Sequence, residues 1–264
     1  MKRRIPGDLI KHLEWVAGSS ASVTPSTPPI VSPTRTVISV SANFSLGGDS
    51  TFWRVSGINY RGSPHTVDLK KELLARGTSK TQAEWSRYAE DAFGKGEFYT
   101  PDFPLQHSFF ETLFDNREDT TYKDGIEEIR AWIDQNAKAR WLATLTRIKY
   151  DSQGLDEMIH NHGTERAYSI TGDFVGEDEF VKDSRDKALY GALLGTEDKS
   201  KIVKVYKWLT GVPLYIWRVN SKPDRMDQRV AWFGAGSGGA VLGCDRVAES
   251  RNASLGVRAE KIRP

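Results

Sequence analysis

Residues 232–247 read WFGAGSGGAVLGCDRV, and the role of their glycines decides the fold. Gly234, Gly236 and Gly239 fit G-x-G-x-x-G, the pattern that cradles a dinucleotide pyrophosphate. That use requires a strand, a tight turn, and then a helix whose amino terminus faces the phosphates, with more sheet beyond it. RVAWF can supply the strand, but AVLGCDRV is rich in β-branched and small residues and reads as a second strand. Only 25 residues follow Gly239, too few for another βαβ unit. No Lys-Ser or Lys-Thr completes a phosphate loop. The stretch therefore reads as two strands joined by a glycine-rich turn. Its glycines let backbones pass closely or adopt positive φ.

The same strand character extends outward. PLYIWRV and SLGVRAE flank the stretch, and WLATLTRIKY and AYSITGDFV precede it, all short and rich in β-branched and aromatic residues. Tyr215 and Trp217 share a strand face, whereas the neighbours Trp232 and Phe233 point oppositely, so one of the latter pair is core. Further upstream the pattern is helical over 66–138. Thr66 or Asp68 can cap VDLKKELLARG, with Gly77 closing it, and Ser79 can cap KTQAEWSRYAEDAFGKG. PLQHSFFETLFDN follows with Pro104 in its first turn, then YKDGIEEIRAWIDQNAK, which carries Ile126, Ile129, Trp132 and Ile133 on one face. DKSKIVKVYKWLTG is one more helix, ended by Gly211 and Pro213. TVISVSANFSL and FWRVSGINY, separated by Gly47-Gly48-Asp49, are strands ahead of the helices. Helices inserted between N-terminal strands and C-terminal antiparallel strands define an α+β fold.

Three segments follow from composition. Residues 1–17 contain a short amphipathic helix from Asp8 to Ala17, suited to docking on a partner. Residues 18–36 are a Ser/Thr/Pro-rich linker, and residues 37–264 form the main domain. Asp8, Lys11, His12 and Glu14 interrupt the apolar run of roughly 7 to 15 residues that a signal peptide needs. No run of about 18 apolar residues is present to span a membrane. The 37 basic and 35 acidic residues leave a net charge of +2, unlike the concentrated positive charge of a nucleic-acid binder. Cys244, the single cysteine, excludes an internal disulfide and a cysteine zinc cluster, and its apolar neighbours predict a buried thiol.

Catalytic constellations are sparse. His160 and His162, with Asp156 and Glu157 close by, offer metal-ligand chemistry without the H-E-x-x-H spacing, and Asn161-His162-Gly163 reads as a turn in a solvated loop. Asp173, Glu177, Asp178 and Glu179 form an acidic cluster, read as a solvated loop. No G-x-S-x-G elbow is present. A hydrolase built on His160 and His162 is the alternative from another class; a structural virion or surface protein without a diversified site is the second.

The tail WRVNSKPDRMDQRVAWFGAGSGGAVLGCDRVAESRNASLGVRAEK resembles the end of the C-type lectin fold as used in variable proteins of diversity-generating retroelements. It is also similar to formylglycine-generating-enzyme-like domains. The resemblance covers about 50 residues and is carried by Arg229–Phe233, Gly236–Gly239, Cys244-Asp245-Arg246 and Ser254–Arg258. Formylglycine-generating enzymes use a pair of cysteines, so the resemblance implies their fold and not their chemistry. For the variable proteins it implies a non-enzymatic, cofactor-free binder of a protein or glycan ligand, displayed on a virus particle or microbial surface. It also implies diversity just before the terminal strand, produced by mutagenesis at template adenines. Phe233–Ser237 and Gly243–Val247 fit the residues such mutagenesis yields; Trp232 and Glu249 do not. The implied ligand contacts are Trp232, Phe233, Ala235, Ser237, Asp245, Arg246, Ser250 and Asn252, on a scaffold held by Leu242, Leu255, Val257 and Trp217.

Overall fold

A helix following a strand needs its free amino-terminal N–H groups satisfied, and here each of the first two helices is capped by a side chain. In the computed structural model, which describes residues 44–217 and 225–261, Thr81 caps α1 (Gln82–Lys95) in a reciprocal capping box with Glu84. Asp102 caps α2 (Phe103–Asp115), accepting from the Leu105 N–H at 2.9 Å, with Pro104 in the first turn. Helix α3 (Lys123–Ala139) buries Ile126, Ile129 and Ile133. The expected helix at 8–17 and the linker at 18–36 lie outside the described residues.

Strands surround this helical block. β1 (Ser45–Gly48), β2 (Phe52–Tyr60) and β3 (Ser63–Lys70) precede it and form an antiparallel sheet with the last strand, β11 (Val257–Lys261), in the order β1-β2-β3-β11. A second sheet has seven strands, in the order β6-β5-β4-β9-β10-β8-β7. Its members are β4 (Leu142–Tyr150), β5 (Asp156–His160), β6 (Tyr168–Gly172), β7 (Glu179–Phe180), β8 (Leu214–Trp217), β9 (Asp227–Gly236) and β10 (Gly239–Arg246). Two helices, α4 (Lys187–Leu194) and α5 (Lys199–Thr210), separate β7 from β8. The mixture of helices with mainly antiparallel strands is consistent with α+β, although α4 and α5 interrupt the strands of the large sheet.

Four expectations are corrected. Residues 66–77 are not a helix: β3 occupies 63–70, and a short 3-10 turn, Leu74–Gly77, follows. Long-range pairing overrides local helix preference, because β3 lies between β2 and β11 and is paired along both edges. Asp68, expected as a helix cap, instead joins the three strands. It accepts from Arg54 of β2 at 2.7 Å and 2.9 Å, and from Arg258 of β11 at 3.1 Å and 2.6 Å. The cap of α1 is Thr81 and not Ser79. The C-terminal strands are not all antiparallel, since β10 pairs with β8 in parallel, Ala240 opposite Leu214. Finally, β5 and α4 are real elements where the sequence reads as loop or carries no helical signal.

The core sits between the large sheet and the helices. Phe233 of β9 meets Phe110 of α2 at 5.9 Å and Tyr206 of α5 at 5.3 Å between ring centroids. All three side chains are buried, each contributing about 1.5–3 kcal/mol of apolar transfer. Leu242, Leu255 and Val257 are buried as the scaffold reading expects, while Trp217 is only half-buried and packs edge-on to Tyr215. Cys244 is buried.

Candidate functional site

The stretch beyond Gly239 is a strand, so the glycine pattern is a hairpin and not a phosphate cradle. Gly236 pairs with Gly239 across a two-residue turn of Ser237 and Gly238. Two further glycines have a role the sequence does not announce: they make room for indole rings. A Cβ at Gly243 would lie 1.9 Å from Cε2 of Trp232, its cross-strand partner. A Cβ at Gly234 would lie 2.9 Å from Cδ1 of Trp141. Each glycine thus leaves a bare patch of sheet on which a tryptophan lies flat.

These rings build the site. Trp141 and Trp232 stack with centroids 4.4 Å apart and planes 17° from parallel. The Arg246 guanidinium carbon sits 3.7 Å from the Trp141 ring centroid and 5.8 Å from that of Trp232, so it lies beside the stacked pair. The Trp232 Nε1–H donates to Asp245 Oδ1 at 2.9 Å, which fixes the indole in its plane. The four side chains form a ladder on the face of β9–β10 opposite the core, and the tail of β10 supplies both its charged members.

The loop after β10 is anchored by backbone groups. Gln82 N–H donates to Ala248 O at 3.2 Å, and Lys80 and Asn252 exchange two backbone hydrogen bonds at 2.9 and 3.0 Å. The Trp85 indole donates to Asn252 O at 2.9 Å. Arg251 pairs with Glu84 at 3.0 Å. Val247, 43% exposed, and Glu249 project from this held loop, and Ser250 is half-exposed. Their side chains can change without altering the bonds that place them.

The eight expected contacts are divided by the structure. Ser237 is exposed in the hairpin turn, whereas Asp245, Arg246 and Ser250 are half-exposed at and beyond the opposite end of β10. Phe233 is fully buried, and Ala235 turns to the same side and packs against the core. Both are corrected from ligand contacts to core, because alternate residues of β9 face opposite ways and the helices cover one face. Trp232 is only 5% exposed, so it is the floor of the ladder and not an exposed anchor. Asn252, 8% exposed, is held by its backbone to the start of α1 and is likewise corrected. Trp141 is the functional residue that sequence reasoning missed. Its place over Gly234 follows from the β4–β9 register, Leu142 opposite Phe233, which no local pattern specifies.

Comparison with protein-family models, with curated proteins and with solved structures returns no match for this chain. What the site can do rests on its own chemistry.

The histidine reading changes in place and in meaning. His160 lies on β5 and not in a solvated loop. Its Nδ1 is 3.0 Å from Thr146 Oγ1, and its Nε2 is 2.8 Å from the Ala192 carbonyl oxygen, so both nitrogens have partners. Burial pushes its pKa below the usual imidazole value. His162, half-buried beside the Arg147 guanidinium, is lowered to about 4, burial being the larger cause. Among the described residues, no group of three or more His, Cys, Asp or Glu side chains is placed to hold a metal ion. Arg147 itself donates to Gln228 Oε1 at 2.9 Å from a half-buried position that lowers its pKa. It lies one strand from β10 and extends the cationic side of the ladder face.

Proposed function

We propose that this chain is a non-enzymatic ligand-binding protein, a C-type-lectin-like scaffold of the retroelement-diversified kind. It presents the hairpin turn, the end of β10 and the 247–252 loop to a protein or glycan ligand. The observation that carries this reading is the separation of framework from display. The 247–252 loop is held by main-chain bonds to Lys80 and Gln82, while Val247, Glu249 and Ser250 are left outward. A surface that tolerates many sequences needs such a frame, and a rigid frame lowers the ordering cost of binding. The aromatic-cationic ladder supplies a fixed floor next to the loop, with half-exposed Trp141 and Arg246 as the side chains that can reach a ligand. The return of β11 to the N-terminal hairpin closes the domain immediately after the displayed segment, which supports the lectin-like reading. Attachment to a virus particle or microbial surface through the first 36 residues completes the proposal.

The encoding genome provides the test. The reading expects a reverse-transcriptase gene and a near-copy of the codons for 215–258 that differs mainly at adenines. Absence of both removes the diversified binder and leaves a structural protein as the better reading. No helix among the described residues is long and apolar enough to cross a membrane.

A further inference from the structure

A cleft of about 280 Å³ lies on the helix side of the molecule, away from the ladder face. The turn between β2 and β3 closes one side with Asn59 and Arg61; α2 contributes Ser108, β6 contributes Tyr168 and Ile170, and the end of α4 contributes Ala192. We propose that this cleft binds a small hydroxylated carboxylate of sugar-acid size, with Arg61 holding the carboxylate.

The first reason is the cost of Arg61. Tyr60 pairs with Ser63, so Arg61 and Gly62 form a two-residue hairpin turn in which both have positive φ, 54° and 73°. Such turns favour Asn or Asp followed by Gly. Arginine in the left-handed region costs about 1 kcal/mol. The turn is therefore less stable than it would be with asparagine, and the arginine side chain is the compensating gain.

The second reason is how that side chain is held. The Arg61 guanidinium carbon lies 3.8 Å from the centroid of Tyr168, and among the described residues the group makes no hydrogen bond or ion pair. Stacking leaves its in-plane N–H fork available, the geometry that pairs with a carboxylate. Tyr168 is in turn fixed from below. Its hydroxyl donates to Asp102 Oδ2 at 3.4 Å, and the same oxygen accepts from Tyr60 Oη at 2.7 Å and Asn161 Nδ2 at 3.1 Å. His160 packs on Tyr168 at 4.9 Å. Asp102 is buried, so Arg61 rests on a polar network that is itself immobile. Asn161, at φ 49°, is one of four described non-glycine residues in the left-handed region, with Arg61, Ala75 and Arg76, and it belongs to that network.

The third reason is the rest of the lining. Among the described residues, Arg61 is the one cation that lines the cleft, so the ligand carries a single compact anion. Asn59 and Ser108 offer hydrogen bonds of either sense, and the negative end of the α4 dipole favours hydroxyl donors over further negative charge. Ile170, 37% exposed, and Ala192 provide an apolar wall for the body of the molecule. This site does not depend on the ladder face or on its proposed diversification.

The test uses D-glucuronate as the probe and D-glucose as its neutral counterpart, titrated into the full chain and followed by amide chemical shifts. Glucuronate is expected to shift the amides of Arg61, Gly62, Ser108 and Gly195 saturably with a Kd of order millimolar, while glucose leaves them in place. Arg61→Asn, which suits the turn, is expected to raise the Tm and weaken glucuronate about tenfold or more. Arg61→Lys, which keeps the charge without the fork, is expected to fall between. Trp232→Ala is expected to leave the affinity unchanged, which separates this site from the ladder. Equal binding of glucose, or undiminished glucuronate binding by Arg61→Asn, overturns the proposal, as does the absence of any shift at tens of millimolar.

Discussion

Gly243 shows how much a single absent side chain decides. Its partner Trp232 lies across it so closely that any Cβ displaces the ring. Gly243→Ala is therefore expected to cost about 1–3 kcal/mol in urea unfolding. The cost is expected to vanish in a Trp232→Ala background, where no indole remains to be displaced. Equal losses in the two backgrounds would show that the glycine serves the backbone instead. His107 is a residue-scale effect of the opposite kind. It is fully buried on α2, parallel to Tyr206, and neither ring nitrogen has a hydrogen-bond partner among the described residues. Burial, reinforced by Lys201, lowers its pKa to about 3, below the unfolded value of about 6.5. The neutral form is thus required in the fold. Its contribution is complete above pH 6.5 and is lost as pH falls toward 3, because only the unfolded chain takes up the proton. His107→Phe is expected to reduce the fall in Tm between pH 7 and pH 4. An unchanged pH dependence would place the acid sensitivity elsewhere, with His162 the next candidate.

At the scale of elements, the smaller sheet depends on one carboxylate. Burial alone would raise the pKa of Asp68, but hydrogen bonds from Arg54 and Arg258 outweigh it and hold the group below its usual value. A depressed carboxylate stabilises the fold above its unfolded pKa of about 3.9 and loses that contribution as pH falls through the lower folded value. Asp68→Asn is expected to cost about 1–3 kcal/mol at pH 7 and to flatten the acid limb of the stability profile below pH 4. An acid limb identical to that of the parent would mean that the clasp is not what acid breaks. Here the sequence misleads for a definite reason. Asp68 before an apolar run has the signature of a helix cap, and its real partners lie 14 residues upstream and 190 residues downstream. The helices of 82–139 were legible because each carries its own apolar face, and the first two also their own capping side chains. β5 was not, since the buried positions Asp156, Met158 and His160 include an acid and an imidazole whose partners come from distant segments.

For the whole molecule, the proposed division between frame and display has a direct consequence. Replacing Ser237, Val247, Glu249 and Ser250 together by alanine is expected to change stability by about 1 kcal/mol or less, whereas Leu255→Ala alone is expected to cost about 2–5 kcal/mol. A large loss from the fourfold variant, measured by thermal unfolding, would show that the loop side chains hold the fold and cannot vary freely. The amino-acid sequence alone determined the α+β order, the helices over 82–139 and 199–210, the strand that follows Gly239, the buried thiol and the opposed sides of Trp232 and Phe233. All of these are written in periodicity and spacing over a few neighbouring residues. Tertiary structure alone decided which member of that pair is core, what the glycines admit, and that Trp141 and Arg246 meet over them. It also decided that Arg61 lies on Tyr168. Such outcomes depend on strand register and on contacts between segments far apart in the chain, for which local composition carries no signal.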